Sequence, residues 1–233
     1  MVMVALVMIA LVTGGYLFSQ TEPAQRETIA KDDLVELPSP RKEGRISVEA
    51  AIAQRRSVRA YSEAPLSLQA VAQLLWSAQG ITSDRGFRAA PSAGATYPLE
   101  LYLVVGEGRV QNLAAGVYHY QPKEHRVETV REGDLRTGLR EAALDQGWVG
   151  EAPVDLVVAA VYGRTTGKYG ERGRRYVHME AGHAAENLYL QAEAMGLGMV
   201  TVGAFDDQRV QEVLGLPPEQ RPLYVIPVGP PAE

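Results

Sequence analysis

EAGHAAENLYLQAEAMGLGMVTVGAFD, residues 180–206, joins two patterns whose order decides the fold. Between His178 and Met195, the residues Ala181, Ala184, Ala185, Leu188, Ala192 and Met195 recur at helical spacing. That spacing predicts a helix with a face of mostly small side chains, able to pack closely on a neighbour. Gly196, Gly198 and Gly203 then punctuate an extended, β-branched stretch. A dinucleotide-binding loop needs strand, glycine turn and helix in that order. Here the glycines follow a helix and lead into a strand, so a Rossmann NAD site is not supported.

Downstream, Asp206 or Asp207 is placed to cap a short helix through Leu214, and Leu223 to Gly229 reads as a final strand. Upstream, Val154 to Tyr162 is a nearly continuous β-branched run, and Leu99 to Val105 is apolar on both of its alternating faces. Both suit strands buried on two sides. Gly116 to Tyr120 and Arg126 to Val130 are shorter strands around a turn at Gln121, Pro122 and Lys123. Helical spacing marks Ser67 to Gln79, closed by Gly80, and a first helix capped by Ser47 with Val48, Ala51 and Ile52 on one face. Helices and strands interleave without βαβ regularity, which makes α+β the expected class.

The chain has 233 residues and 46% hydrophobic content, enough for one large core. Lys plus Arg total 23 against 28 for Asp plus Glu, a net charge of −5, which disfavours a nucleic-acid partner. Cysteine is absent, so disulfides, thiolate metal sites and thiol nucleophiles are excluded, and redox chemistry has to be borrowed from a cofactor. His178 and His183 are five apart and lie on different helix faces, so no metal site is expected.

Residues 1–18 form an uncharged apolar segment, from Val2 to Phe18 a signal peptide or membrane anchor. The absent basic n-region and A-x-A site favour the anchor, and a true start at Met8 is a third reading. Residues 19–45 read as a polar, proline-bearing linker, 46–229 as the folded domain and 230–233 as a tail.

Two further motifs carry chemistry. RRSVR, residues 55–59, offers planar bidentate donors and a hydroxyl, the set that a terminal phosphate wants. Alone it equally suits a solvated, salt-bridged face. PSAGATYP, residues 91–98, lets bare backbone approach a flat ligand, or is a plain turn ahead of a strand.

Taken in order, RRSVRAY, PSAGATYPLELYLVV, EAGHAAENLYLQAEAMGLGMVTVGAFD and LYVIPVG resemble the nitroreductase-like FMN-dependent oxidoreductases over nearly all of residues 46–229. The wording of PSAGATYP, ENLYLQA and IPVG is similar to the SagB-type dehydrogenase branch, which includes azoline oxidases. The resemblance implies a nitroreductase-like α+β fold with a central mixed, mainly antiparallel sheet flanked by helices. It implies a homodimer with FMN bound at the interface, ping-pong transfer through the flavin, and NAD(P)H as a candidate electron donor.

Carried over by position, Arg55, Ser57 and Arg59, with Arg56 as a helper, are the expected phosphate and ribityl contacts. Pro91, Ser92, Ala93, Gly94 and Ala95 are expected beside the ring. Thr201, Val202, Gly203 and Ala204 are expected to turn backbone N–H groups toward its reactive edge, where fixed donors stabilise developing negative charge. Lys168 and Tyr169 match a lysine–tyrosine pair associated with proton transfer in azoline oxidases; the residues alone equally suit a glycine-rich exposed loop. The tail after Gly229 lacks the basic residues that many nitroreductases carry there, which leaves the phosphate mainly to Arg55 and Arg59. Two alternatives stay open: a flavin-binding module without turnover, and an oxidase of peptide thiazolines or oxazolines.

Overall fold

Leu99–Val105 forms β2, the middle strand of a seven-stranded sheet, because its alternate side chains serve two cores at once. Leu99, Leu101, Leu103 and Val105 point into one core, and Tyr102 and Val104 into the other. The computed structural model describes residues 33–232. In chain order the elements are β1 (Leu34–Glu36), α1 (Val48–Gln54), α2 (Leu68–Gln79), β2, β3 (Gly116–Gln121), β4 (Arg126–Glu132), α3 (Arg136–Ala142) and the irregular single turn α4 (Trp148–Glu151). They continue with β5 (Val154–Val161), α5 (Tyr162–Tyr169), α6 (Arg172–Ala194), β6 (Gly198–Met199), α7 (Asp207–Leu214) and β7 (Gln220–Gly229).

The strand order is β1-β4-β3-β2-β5-β7-β6, and every ladder is antiparallel. Among the described residues, parallel pairing, expected as part of a mixed sheet, is confined to isolated bridges such as Ser57 with Met199. Register places Leu103 opposite Leu156 and Leu156 opposite Ile226, so one apolar row crosses three strands beneath α2 and α6. The opposite face packs Val157, Ala159 and Val225 against Leu139, Val210 and Leu214 of α3 and α7.

The caps expected at Ser47 and Asp206 form, and Ser67 caps α2 in the same way. Ser47, Ser67 and Asp206 accept from the backbone N–H groups of Ala50, Ala70 and Arg209 at 3.2, 3.2 and 3.0 Å. In α6, Ala181, Ala184, Ala185, Leu188 and Ala192 are buried, as their spacing requires.

Three expectations need correction. The fold starts before Ile46: β1 pairs with β4, Leu37 is buried, and Gln73 holds Arg41 by bonds to its N–H and C=O at 2.8 and 3.0 Å. Three strand residues are too few to show a period, so this part of residues 19–45 reads as linker. Tyr162 opens the helix α5 instead of ending the strand. Lys168 and Tyr169 stand at the end of that helix, not in the exposed glycine-rich loop that the residues equally suited, because buried Thr165 and paired Arg164 anchor it from outside. Tertiary contacts override weak propensity there. The strand expected from GLGMVTVGAF is reduced to Gly198–Met199 and a bridge from Val202 to Val225. The apolar segment Val2–Phe18 lies outside the described residues; among those described, no helix is long and apolar enough to cross a membrane.

Candidate active site

RRSVR begins where α1 stops. Arg55 leaves helical geometry, and the chain runs extended so that Val58 N–H donates to the Met199 carbonyl at 2.9 Å. The approach requires glycine at 198, since a β-carbon there would lie 2.6 Å from the Val58 side chain. Tyr189, projecting from α6, sits at the junction. Its hydroxyl accepts from the Thr201 N–H at 3.1 Å and meets Ser57 Oγ at 3.2 Å, while the Arg55 guanidinium lies 5.0 Å from its ring centroid. Arg55, Ser57 and Thr201 therefore converge on one phenol. Arg59 lies 5.4 Å from the Trp148 ring. Arg56 turns away and donates to the Ala53 and Arg55 carbonyls at 3.1 and 2.7 Å. Val202 is buried and paired with Val225, Gly203 is exposed with open space beside it, and the Ala204 carbonyl accepts from Gln146 at 2.8 Å.

PSAGATYP forms a tight turn at Ala93–Ala95 in which Gly94, Ala95 and Tyr97 take φ of 60, 53 and 44°, left-handed values uncommon outside glycine. Contacts to α5 hold this strained turn. The Thr96 and Thr165 hydroxyls lie 2.8 Å apart, Arg164 donates to the Tyr97 carbonyl at 3.0 Å, and Lys168 Nζ donates to the Gly94 carbonyl at 3.3 Å. Pro91 is exposed ahead of the turn, and Ser92 Oγ accepts from Tyr97 N–H at 2.9 Å. Lys168 and Tyr169 thus stand directly beside Gly94.

Charges shape this end of the molecule. Glu100 meets Arg164 at 2.5 Å and His119 at 2.8 Å. Burial alone would raise its pKa, but the His119 hydrogen bond and the Arg164 cation hold it below the usual carboxylate range. Glu180 is 2% exposed, and burial pushes it up to about 7 against the opposing Ser92 hydrogen bond and Arg88 charge. Asp155, fully buried under the Trp148 turn, accepts from Gly150 N–H at 3.3 Å. Burial raises it to about 7 although Arg136 and that N–H oppose the shift.

The structure brings the expected residues together as two half-sites, not one. Ser57 and Thr201 lie against Tyr189, whereas Ser92 lies against Glu180, nine residues earlier on α6. Nine residues are two and a half turns, so the contacts fall on opposite faces, about 13 Å apart along the axis. Tyr189, Glu180, Glu100 and Thr165 are site neighbours that the sequence reading missed. A phenol among alanines on one helix was the available signal for Tyr189.

The donor set fits an anionic ligand with a flat head. The Arg55 guanidinium and Ser57 hydroxyl suit a terminal phosphate, and the main chain left bare at Gly94 and Gly203 suits close approach of a planar ring.

Comparison with known proteins agrees with this architecture. The chain is 46% identical over 184 residues to MJ1384 of Methanocaldococcus jannaschii, a protein carrying the nitroreductase name, covering 79% of this chain and 91% of that one. It is 30% identical over 156 residues to the microcin B17-processing protein McbC of Escherichia coli, covering 65% of this chain and 57% of that one. A crystal structure from Ralstonia eutropha JMP134, also under the nitroreductase name, superimposes with a TM-score of 0.75 at 30% identity, covering 86% of this chain and 90% of that one. Residues 52–230 match the profile of the Nitroreductase family, with the fold and motif order described above, and the chain belongs to that family.

Proposed function

We propose that this protein is an FMN-dependent oxidoreductase working in two half-reactions. The observation that carries the reading is the convergence of Arg55, Ser57 and the Thr201 N–H at the Tyr189 phenol. Arg55 and Ser57 would hold the FMN phosphate, with Arg59 as a further cation from the same segment. Ser92 to Ala95 would flank the ring, and of the Thr201 to Ala204 segment the N–H groups of Gly203 and Ala204 would face its edge, since those of Thr201 and Val202 already donate to Tyr189 and Val225. Bound FMN supplies the hydride-accepting and hydride-donating chemistry that the side chains lack. Tyr169 Oη or Lys168 Nζ, in its deprotonated form, would take the accompanying proton from the substrate and return it to the acceptor in the second half-reaction.

Because the half-sites lie on opposite faces of α6, a complete cleft needs the Ser92 half of a second copy. That requirement supports the homodimer expected of the family. NAD(P)H is the donor to test first.

The test uses the full chain, incubated with FMN, freed of excess ligand and scanned for a bound flavin spectrum. Reduction by NAD(P)H and reoxidation by an organic acceptor are the expected results. A protein that stays colourless after incubation with FMN sinks the reading, and a flavin reducible only by dithionite reduces it to a binding module. A second reading, oxidation of a peptide azoline ring, is favoured by Lys168 and Tyr169 beside Gly94 together with the McbC similarity. Bound flavin would supply the hydride acceptor for that ring and the pair the base for its proton, and a model thiazoline peptide tests it directly.

A further inference from the structure

Tyr189 makes contacts whose directions can be worked out from donor and acceptor counts. The Thr201 N–H can only donate, so the phenol oxygen accepts there. The phenol still has its own proton. Among the described residues the acceptor in reach is Ser57 Oγ, at 3.2 Å. Giving it that proton is the arrangement that leaves no half-buried donor without a partner. Ser57 Oγ, having accepted, keeps its own O–H for the exposed side. A serine hydroxyl free to point either way is thereby turned into a donor aimed outward.

The ring of Tyr189 acts on Arg55 in the same sense. The guanidinium carbon lies 5.0 Å from the ring centroid, within cation–π range. The N–H edges of a guanidinium resting on a ring face remain free in its plane for a bidentate partner. Ala185 and Ala192, about one turn to either side of Tyr189, are buried and too short to compete for that ring face.

We propose that Tyr189 is a positioning residue: it orients the Ser57 proton and the Arg55 plane and so builds an anion seat in advance of the ligand. The inference rests on the FMN reading and deepens it, since it assigns to α6 a part in phosphate recognition. Such preorganisation raises affinity by removing ordering that binding would otherwise require.

The test compares FMN, riboflavin and inorganic phosphate on wild type, Tyr189→Phe, Tyr189→Leu, Ser57→Ala and the Tyr189→Phe/Ser57→Ala double variant. Riboflavin has the ring without the phosphate. Loss of one directed hydrogen bond predicts FMN binding about tenfold weaker in Tyr189→Phe, with riboflavin binding unchanged and thermal protection by phosphate reduced. Ser57→Ala should add little in the Phe background, because the serine no longer has a fixed proton. Tyr189→Leu, which also removes the platform under Arg55, should lose more than Phe.

Equal weakening of FMN and riboflavin in Tyr189→Phe overturns the proposal in favour of simple core support, as does unchanged binding of both. Wild type that binds neither flavin yet is protected by phosphate sinks the FMN reading alone. The phosphate arm then decides the role of Tyr189 by itself.

Discussion

Gly94 and Tyr169 meet so closely that a β-carbon on the glycine would stand 2.5 Å from the phenol oxygen and 2.6 Å from Lys168 Nζ. Gly94 also has φ of 60°, where a side chain is strained. Gly94→Ala should therefore displace both polar tips and cost about 1 kcal/mol in backbone strain. The expected outcome is at least a tenfold loss of turnover with a small fall in melting temperature. Steady-state kinetics and thermal melting of the FMN-treated full chain check it.

Lys168→Ala and Tyr169→Phe remove the assigned proton acceptors without touching the Arg55 and Ser57 half-site. Turnover should fall on the order of 100-fold while FMN affinity holds. Unchanged rates with every substrate would show that the pair has no part in the chemistry.

Asp155 sets a stability limb. Its folded pKa is raised to about 7 by burial, against about 3.9 for an unfolded aspartate, so the native state holds the proton more tightly. Between those values the unfolded state binds fewer protons, and stability falls as pH rises, by on the order of 1 kcal/mol per pH unit at most. Asp155→Asn should flatten melting temperature between pH 5 and pH 7 by roughly this amount. Glu180, also raised to about 7, titrates over an overlapping window, so the full flattening should need Glu180→Gln as well.

Glu100 has the opposite sign. Its folded pKa is depressed, so its contribution is fully present above the ordinary glutamate value and is lost as pH falls through the folded one. Glu100→Gln should lower stability at neutral pH by about 1 kcal/mol and reduce the acid sensitivity. Hydrogen exchange in Tyr162–Tyr169 should quicken, because Arg164 then has no carboxylate to anchor α5.

Elements with a strong period were legible in the sequence. β2, β5, α2 and the buried alanine face of α6 follow from alternation or helical spacing, and Ser47 and Asp206 mark the starts of α1 and α7. What escaped depends on contacts distant in sequence. β1 is three residues long, and α5 is tied down by Glu100 and Thr96, which hold Arg164 and Thr165. The motifs were findable one at a time, but not the division of RRSVR and PSAGA between opposite faces of α6. That division emerges only once the helix has a phase relative to both segments.

The three residues of β1 also bear on how the protein can be shortened. Leu34, Val35 and Glu36 satisfy the outer hydrogen-bonding rim of β4, which a version starting at Ile46 would leave bare. An unprotected rim is a template for pairing with other chains. The minimal well-behaved fragment therefore begins ahead of Leu34, and cutting at 46 trades a tidy sequence boundary for a sticky one.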